Sequence, residues 1–160
     1  MVFPVLAEAQ TETVIRVDPQ YSAVDPGQAF TVDVRVENVQ NLAAFDVTLN
    51  FNPRLLKVND LTMGDFLDLG FWGSDVDNEN GLIHFYNAIL SHSDPGSGSG
   101  VLFTVHFTAK TIVADTRVEI DEVWTELVED ETYQTLPYSA QDGFVQIGTP
   151  NRIFMPLVIR

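Results

Sequence analysis

The residues best suited to chemistry lie in an acidic segment that ends in Asn80-Gly81. Oxygen-bearing side chains recur there at alternate positions, at Asp75, Asp77 and Glu79. Such a pattern gathers a hard cation, for example calcium, from a loop. The EF-hand template does not fit, because glycine comes one position late and Tyr86 stands where the closing glutamate should be. A hairpin turn explains the same residues, since Asn-Gly supplies positive φ angles, and we favour this turn over a metal site.

Catalytic chemistry finds little support elsewhere in the chain. Cysteine is absent, which excludes disulfides, thiol nucleophiles and cysteine-based zinc sites. Acidic residues are dense between positions 121 and 131, but like charges at this density are typical of a solvated loop or face. Glycoside hydrolysis needs two carboxylates facing one cleft, and a chain with few long loops has little material for a cleft. The protein is therefore predicted not to be an enzyme.

Composition narrows the class of partner. The chain has 160 residues, 45% of them hydrophobic, and carries 8 Lys and Arg against 23 Asp and Glu for a net charge of -15. This fits one folded domain. Its negative surface disfavours nucleic acid and anionic lipid. No stretch approaches the roughly 18 apolar residues of a membrane-spanning helix, so no membrane span is expected.

Apolar and polar residues alternate along most of the chain, which is the pattern of strands with one face buried. The clearest runs are 30–37, 44–51, 83–86 and 101–107, and the weaker ones are 13–17, 55–61, 117–123 and 144–147. Turn residues separate them, as at Asn52-Pro53, Asn80-Gly81 and Asp142-Gly143. Without a long helical period between the runs, the pattern predicts an all-β, antiparallel β-sandwich of about nine strands.

The same alternation predicts the core. We expect Leu102, Thr104 and His106 to face outward, and these residues to pack together inside: Phe30, Val32, Val34, Phe45, Val47, Leu49, Phe51, Ile83, Phe85, Phe103, Val105 and Phe107. A row of exposed aromatic side chains would instead indicate a surface on which sugar rings stack. Two tryptophans far apart in sequence do not make a row, so Trp124 is expected to pack on a sheet face or edge. Phe71-Trp72 is expected to close one end of the sandwich.

The two ends of the chain differ from its middle. An apolar start leads into Ala7-Glu8-Ala9, the small-x-small pattern of a signal-peptidase site, and this favours export. We therefore divide the chain into an export-signal remnant or disordered tail (1–12), the sandwich (13–148), and a hinge with an apolar C-terminal tail (149–160).

Several segments, taken in order, resemble the cohesin family, the sandwich modules of bacterial scaffold proteins that bind dockerin modules. The segment 42–58 carries the resemblance best, because its strand ends in Phe51-Asn52-Pro53 followed by Arg54-Leu55-Leu56. The other similar segments are 14–19, 24–39, 77–85, 100–107 and 142–147. Each motif is weak alone, but their order is specific for the fold. The resemblance implies a nine-stranded sandwich with jelly-roll topology.

The resemblance also implies a binding face. In the family, dockerin docks on the outward face of the strand before the Asn-Pro turn and of the strand after the Gly81 turn. By position, these residues are Asp46, Thr48, Asn50, His84, Tyr86 and Ala88. An aromatic anchor with a polar rim is typical of interface hot spots. His84 and His106 fall on different sheets of the resembled fold and His92 lies in a Ser/Gly loop, so no shared zinc is expected.

We therefore expect a non-catalytic, extracellular or cell-surface bacterial module that assembles proteins. The implied partner is a dockerin-bearing secreted enzyme, in the setting of polysaccharide degradation. The alternatives are a carbohydrate-binding module on the same sandwich, with polysaccharide as ligand, and a structural surface-adhesion domain. None of these needs a cofactor, and calcium is expected on the partner rather than on this chain.

Overall fold

The computed structural model describes residues 2–4 and 11–149. Most of the predicted export segment (1–12) and nearly all of the apolar tail (149–160) lie outside the described residues. Within the described part there are strands only, and no helix is long and apolar enough to cross a membrane. The strands are β1 (Val14–Asp18), β2 (Tyr21–Val24), β3 (Ala29–Phe51), β4 (Leu56–Met63), β5 (Phe71–Asp77), β6 (Leu82–Ala88), β7 (Gly96–Ala109), β8 (Ala114–Ile120), β9 (Glu126–Glu129), β10 (Ser139–Gln141) and β11 (Gly143–Ile147).

The long strand β3 takes part in both layers of the sandwich. Its first half pairs with β1 and β7, and these pair in turn with β10 and β4. Its second half pairs with β6, β8 and β9; β6 pairs with β5, and β8 leads through β11 to β2. Asn38 and Asn41 have φ angles of 57° and 53°, which asparagine tolerates, and the register to β7 shifts on both sides of Val39. We call the two layers the first sheet (β10, β1, first half of β3, β7, β4) and the second sheet (β5, β6, second half of β3, β9, β8, β11, β2).

Aromatic rings from both sheets fill the core. Phe85 of the second sheet stacks on Phe103 of the first, with ring centroids 4.6 Å apart, and Phe45 lies 6.4 Å from Phe103. The predicted core is confirmed: its members are buried, apart from Phe30, which is partly buried and stacks on Phe107.

The all-β sandwich is confirmed, with two differences in detail. The sheets are not purely antiparallel, because β1 pairs with β10 and β2 with β11 in parallel. These short strands bind partners far away in sequence, which local alternation does not reveal. Leu102, predicted to face outward, is buried. The reason is a bulge in β7: Val34 lies opposite Phe103 but Arg35 lies opposite Val101, so the alternation slips at Leu102.

Candidate protein-binding face

The two strands predicted to carry the binding residues are hydrogen-bonded neighbours. In the pairing of β3 with β6, Asp46 lies opposite Tyr86 and Thr48 lies opposite His84. Residues two apart on a strand share a face, so the structure places all six predicted residues on one side of the second sheet: Asp46, Thr48, Asn50, His84, Tyr86 and Ala88. β5 extends this side beyond β6, and β9 extends it beyond β3. We call the outward side of β5, β6, the second half of β3 and β9 the candidate face.

A short hydrogen bond joins the two central strands of the candidate face. Nε2 of His84 lies 2.6 Å from Oδ1 of Asp46, and the two side chains are 35% and 49% exposed. Because an ionised carboxylate only accepts, the imidazole must donate. The bond fixes the Asp46 carboxylate on the sheet and leaves its second oxygen available to a partner.

Tyr86 stands at the centre of an aromatic cluster. Its ring centroid is 5.5 Å from that of His84 and 6.0 Å from that of Phe71. Its ring also lies across β5 at Gly73, where an added Cβ would be 2.4 Å from the tyrosine Oη. Because glycine has no side chain, the Tyr86 ring can occupy the space over residue 73. Phe71, predicted to close an end of the sandwich, instead lies on the candidate face and is 71% exposed.

Thr48 is buried, so it is a support for the face and not a contact surface. The turn 121–125 covers it. The Thr48 N–H donates to Oγ1 of Thr125 at 3.1 Å, and its carbonyl accepts from the Asp121 N–H at 2.9 Å. Asn50 donates from Nδ2 to Oδ2 of Asp121 at 3.0 Å. The predicted Thr48 and Asn50 thus hold this turn against the sheet.

The turn 121–125 presents two apolar side chains beside the candidate face. Val123 and Trp124 are 80% and 69% exposed, and the Trp124 carbonyl accepts a hydrogen bond from the Thr48 hydroxyl. Trp124 was expected to pack on a sheet, and this prediction is wrong, because the backbone of the turn and not its indole meets β3. The position of this turn follows from the burial of Thr48, which the alternating sequence pattern does not reveal.

The surroundings of the candidate face are acidic. Glu126 of β9 lies opposite Asp46, and Asp75 of β5 lies opposite His84. Burial raises the pKa of Tyr138, and the charges of Glu122, Asp121 and Glu126 raise it further. The carboxylates of Asp121, Glu122 and Glu126 make the region around the turn 121–125 negative, which favours a cationic partner.

The acidic segment that ends in Asn80-Gly81 forms the hairpin turn between β5 and β6. The Asp77 carboxylate accepts from the N–H groups of Glu79 and Asn80 at 2.9 Å and from the Asn80 side chain at 2.7 Å. The Asn80 side chain and these two N–H groups hold the pKa of Asp77 below its usual value. Asp75 lies on the candidate face instead. Over the described ranges, no three His, Asp or Glu side chains are grouped closely enough to hold a metal.

His84 and His106 lie on different sheets, as predicted. His106 lies on β7 of the first sheet, where Nε2 meets the Thr62 hydroxyl at 2.8 Å. On the candidate face the ring planes of Tyr86 and Phe71 are tilted by 37°. A tilted pair is a poor platform for a chain of flat sugar rings, so this geometry favours a protein ligand over a polysaccharide.

The family model described as "Cohesin domain" matches residues 15–147. The chain belongs to the cohesin family. Cohesin modules are non-catalytic and bind proteins, so the predictions of family, of a non-enzymatic role and of protein assembly are confirmed.

Individual relatives agree with the family. The cohesin is 29% identical over 129 residues to cellulose-binding protein A of Clostridium cellulovorans. The aligned region covers 79% of this chain but only 7% of that protein. The third cohesin ScaC of Acetivibrio cellulolyticus, solved with the ScaB dockerin, has a TM-score of 0.75 at 16% identity over 86% of this chain and 99% of that one. A non-cellulosomal cohesin of the archaeon Archaeoglobus fulgidus has a TM-score of 0.70 at 21% identity over 87% and 93%. These two structures support the fold.

Proposed function

We propose that this cohesin binds a dockerin on the candidate face and so attaches a dockerin-bearing enzyme to an extracellular or cell-surface bacterial assembly. The observation that carries the proposal is the cluster of Phe71, Tyr86, His84 and Asp46 on one outward sheet face. The similar ScaC cohesin was solved in complex with a dockerin, which supports this class of partner.

Within the cluster, Tyr86 and Asp46 have different roles in binding. Tyr86 is held between His84 and Phe71, so little side-chain entropy is lost when a partner covers it. A pre-ordered aromatic that becomes desolvated supplies much of an interface's energy. Asp46, oriented by His84, fixes the partner's orientation through charge-assisted hydrogen bonds.

Charge narrows the partner further. The acidic groups Asp46, Asp75 and Glu126 share the candidate face with one titratable base, His84. A dockerin that binds here should therefore present Lys or Arg, and its association rate should fall as salt is added. Calcium belongs on the partner in this proposal, because Asp77 is committed to the hairpin turn.

The test is calorimetric titration of the full chain with calcium-loaded dockerins encoded in the source genome. Tyr86→Ala should weaken binding by roughly 2 kcal/mol or more, and Asp46→Ala by roughly 1.5 to 3 kcal/mol. The matched controls are Tyr21→Ala, at the far edge of the second sheet, and Asp33→Ala, on the first sheet. Both controls should bind like the wild type.

Two results would overturn the proposal. One is a wild-type protein that binds no dockerin of the panel. The other is equal affinity of the wild type, Tyr86→Ala and Asp46→Ala for the same dockerin. Retention of the wild type on insoluble cellulose, with loss in Tyr86→Ala, would put the carbohydrate-binding alternative in its place.

A further inference from the structure

The outer edge of β5 forms a second surface of the second sheet. β5 pairs with β6 on one side, and among the described residues no strand pairs with its other side. Its seven residues match β6 without a register shift and include neither Lys nor Pro. Edge strands normally carry bulges, lysines or prolines that prevent pairing with another chain. β5 has no bulge, lysine or proline, and its only charged side chains are Asp75 and Asp77.

Hydrogen-bond alternation shows which backbone groups this edge offers. The Phe51 N–H donates to Gly81 and the Ile89 N–H donates to Ala43, so odd-numbered residues of β6 bond to β3. Even-numbered residues of β6 therefore bond to β5, where they lie opposite odd-numbered residues. The N–H and C=O groups left pointing to the open edge are those of Trp72, Ser74 and Val76.

The side chains of these same three residues line a groove. They face the first sheet, and the groove between β5 and β4 has a volume of about 460 Å³. Trp72 is 47% exposed there and stacks on the core ring of Phe85 at 6.1 Å. A strand added beside β5 would therefore meet backbone partners and a fixed apolar surface together.

The opposite wall of the groove, β4, has its edge closed by Asn78 of the β5–β6 turn and by its own Asp60. The Asn78 amide accepts from the Val58 N–H at 2.8 Å and donates to the Val58 carbonyl at 3.0 Å. The Leu61 N–H donates to Oδ1 of Asp60 at 2.9 Å, and a register shift interrupts β4 between Val58 and Asp60. An incoming strand is thus directed to β5.

The charges around the groove indicate which kind of chain would bind there. Asp60 of β4 lines the groove, Asp75 of β5 lies beside it with its side chain on the candidate face, and no Lys, Arg or His lines it. The net charge of -15 opposes a second copy of the chain. We propose that the β5 edge binds an extended, basic segment of a partner protein as an additional strand, with apolar side chains at alternate positions against Trp72. This surface is the open edge of β5, whose outward side belongs to the candidate face. A change at Ser74 alters the edge and a change at Tyr86 alters the face, so the two can be tested with different variants.

The test uses the full chain and a synthetic peptide that alternates valine and threonine between terminal lysines. On binding, amide exchange of Trp72 and Val76 should slow about tenfold. Ser74→Pro removes an edge N–H that the β5–β6 ladder does not use, and it should abolish this protection. Ser74→Thr, which keeps the N–H, should retain it. The same peptide N-methylated along one edge should not bind, and a version with terminal glutamates should bind more weakly.

Three results would overturn the inference: no slowing of exchange at β5, protection that survives Ser74→Pro, or slowing at the edges β2 or β10 instead. If Ser74→Pro does not fold, as judged by thermal unfolding, the N-methylated peptide decides the question on the wild-type protein. Equal slowing by the methylated and unmethylated peptides would then contradict strand addition.

Discussion

The outward faces of the two sheets use their charges in opposite ways. On the first sheet, Arg16 lies opposite Arg35, and both donate to Glu37, at 2.9 and 3.2 Å. Arg16 also pairs with Asp18 at 3.1 Å. On the candidate face, no Lys or Arg of the described residues pairs with Asp46, Asp75 or Glu126.

Internal charge pairing therefore distinguishes the two outward faces of a sandwich whose sheets share one core. Charges that satisfy one another within the protein stabilise a face and leave little for a partner. On the candidate face Asp46 pairs only with His84, Asp75 and Glu126 form no ion pair with another described residue, and Phe71 is exposed. Each experiment below should therefore affect the two faces differently, or both together where the core is changed.

The largest effect is expected from the core that both faces share. Phe45 lies directly beneath the candidate face and packs on Phe85 and Phe103, with centroids 6.2 and 6.4 Å away. Phe45→Ala removes a buried ring and leaves a cavity, so the free energy of unfolding should fall by about 3 to 5 kcal/mol. Chemical denaturation measures it. A loss below about 1 kcal/mol would contradict the inward assignment of Phe45.

A smaller effect, confined to the candidate face, is expected from Gly73→Ala. The new methyl group would lie 2.4 Å from Oη of Tyr86, so the tyrosine ring must leave its position. Dockerin affinity should fall about tenfold, or ~1.4 kcal/mol, while stability changes by less than about 1 kcal/mol. Ser74→Ala, one residue further and facing inward, is the control. Unchanged affinity in Gly73→Ala would show that the position of Tyr86 does not matter.

The smallest effect is expected from Glu37→Gln on the first sheet. Burial acts to raise the pKa of Glu37, but hydrogen bonds from Ser99, Arg16 and Arg35 outweigh it and hold this pKa below its usual 4.5. The ionised group therefore stabilises the fold above about pH 4.5, and the contribution is lost as the pH falls through the lowered pKa. At neutral pH the variant should lose about 1 kcal/mol and keep its dockerin affinity. A loss that does not shrink on acidification, in denaturation curves of both proteins, would contradict this role.

The sequence predicted the centre of the candidate face because central strands alternate cleanly. Asp46 and Tyr86 follow from the period-two pattern around Phe45 and Phe85, together with the family resemblance. The periphery was not predictable in this way. Because β5 lies at the sheet edge, few of its side chains are buried and its sequence shows no clear alternation. For this reason the sequence predicts Phe71 at an end of the sandwich. The position of Trp124 depends on the turn 121–125, which is held by the buried Thr48 of β3, a strand distant in sequence.

Side-chain footprinting with hydroxyl radicals can locate a bound dockerin on the surface, because aromatic side chains on and off the candidate face are oxidised in the same experiment. Phe71, Tyr86 and Trp124 mark the candidate face and its rim, and Tyr21 and His106 mark surfaces away from it. If dockerin binds as proposed, oxidation of Phe71, Tyr86 and Trp124 should fall in the complex while oxidation of Tyr21 and His106 stays the same. Protection of Tyr21 or His106, with Phe71 and Tyr86 still fully oxidised, would place the partner on another surface and contradict the account.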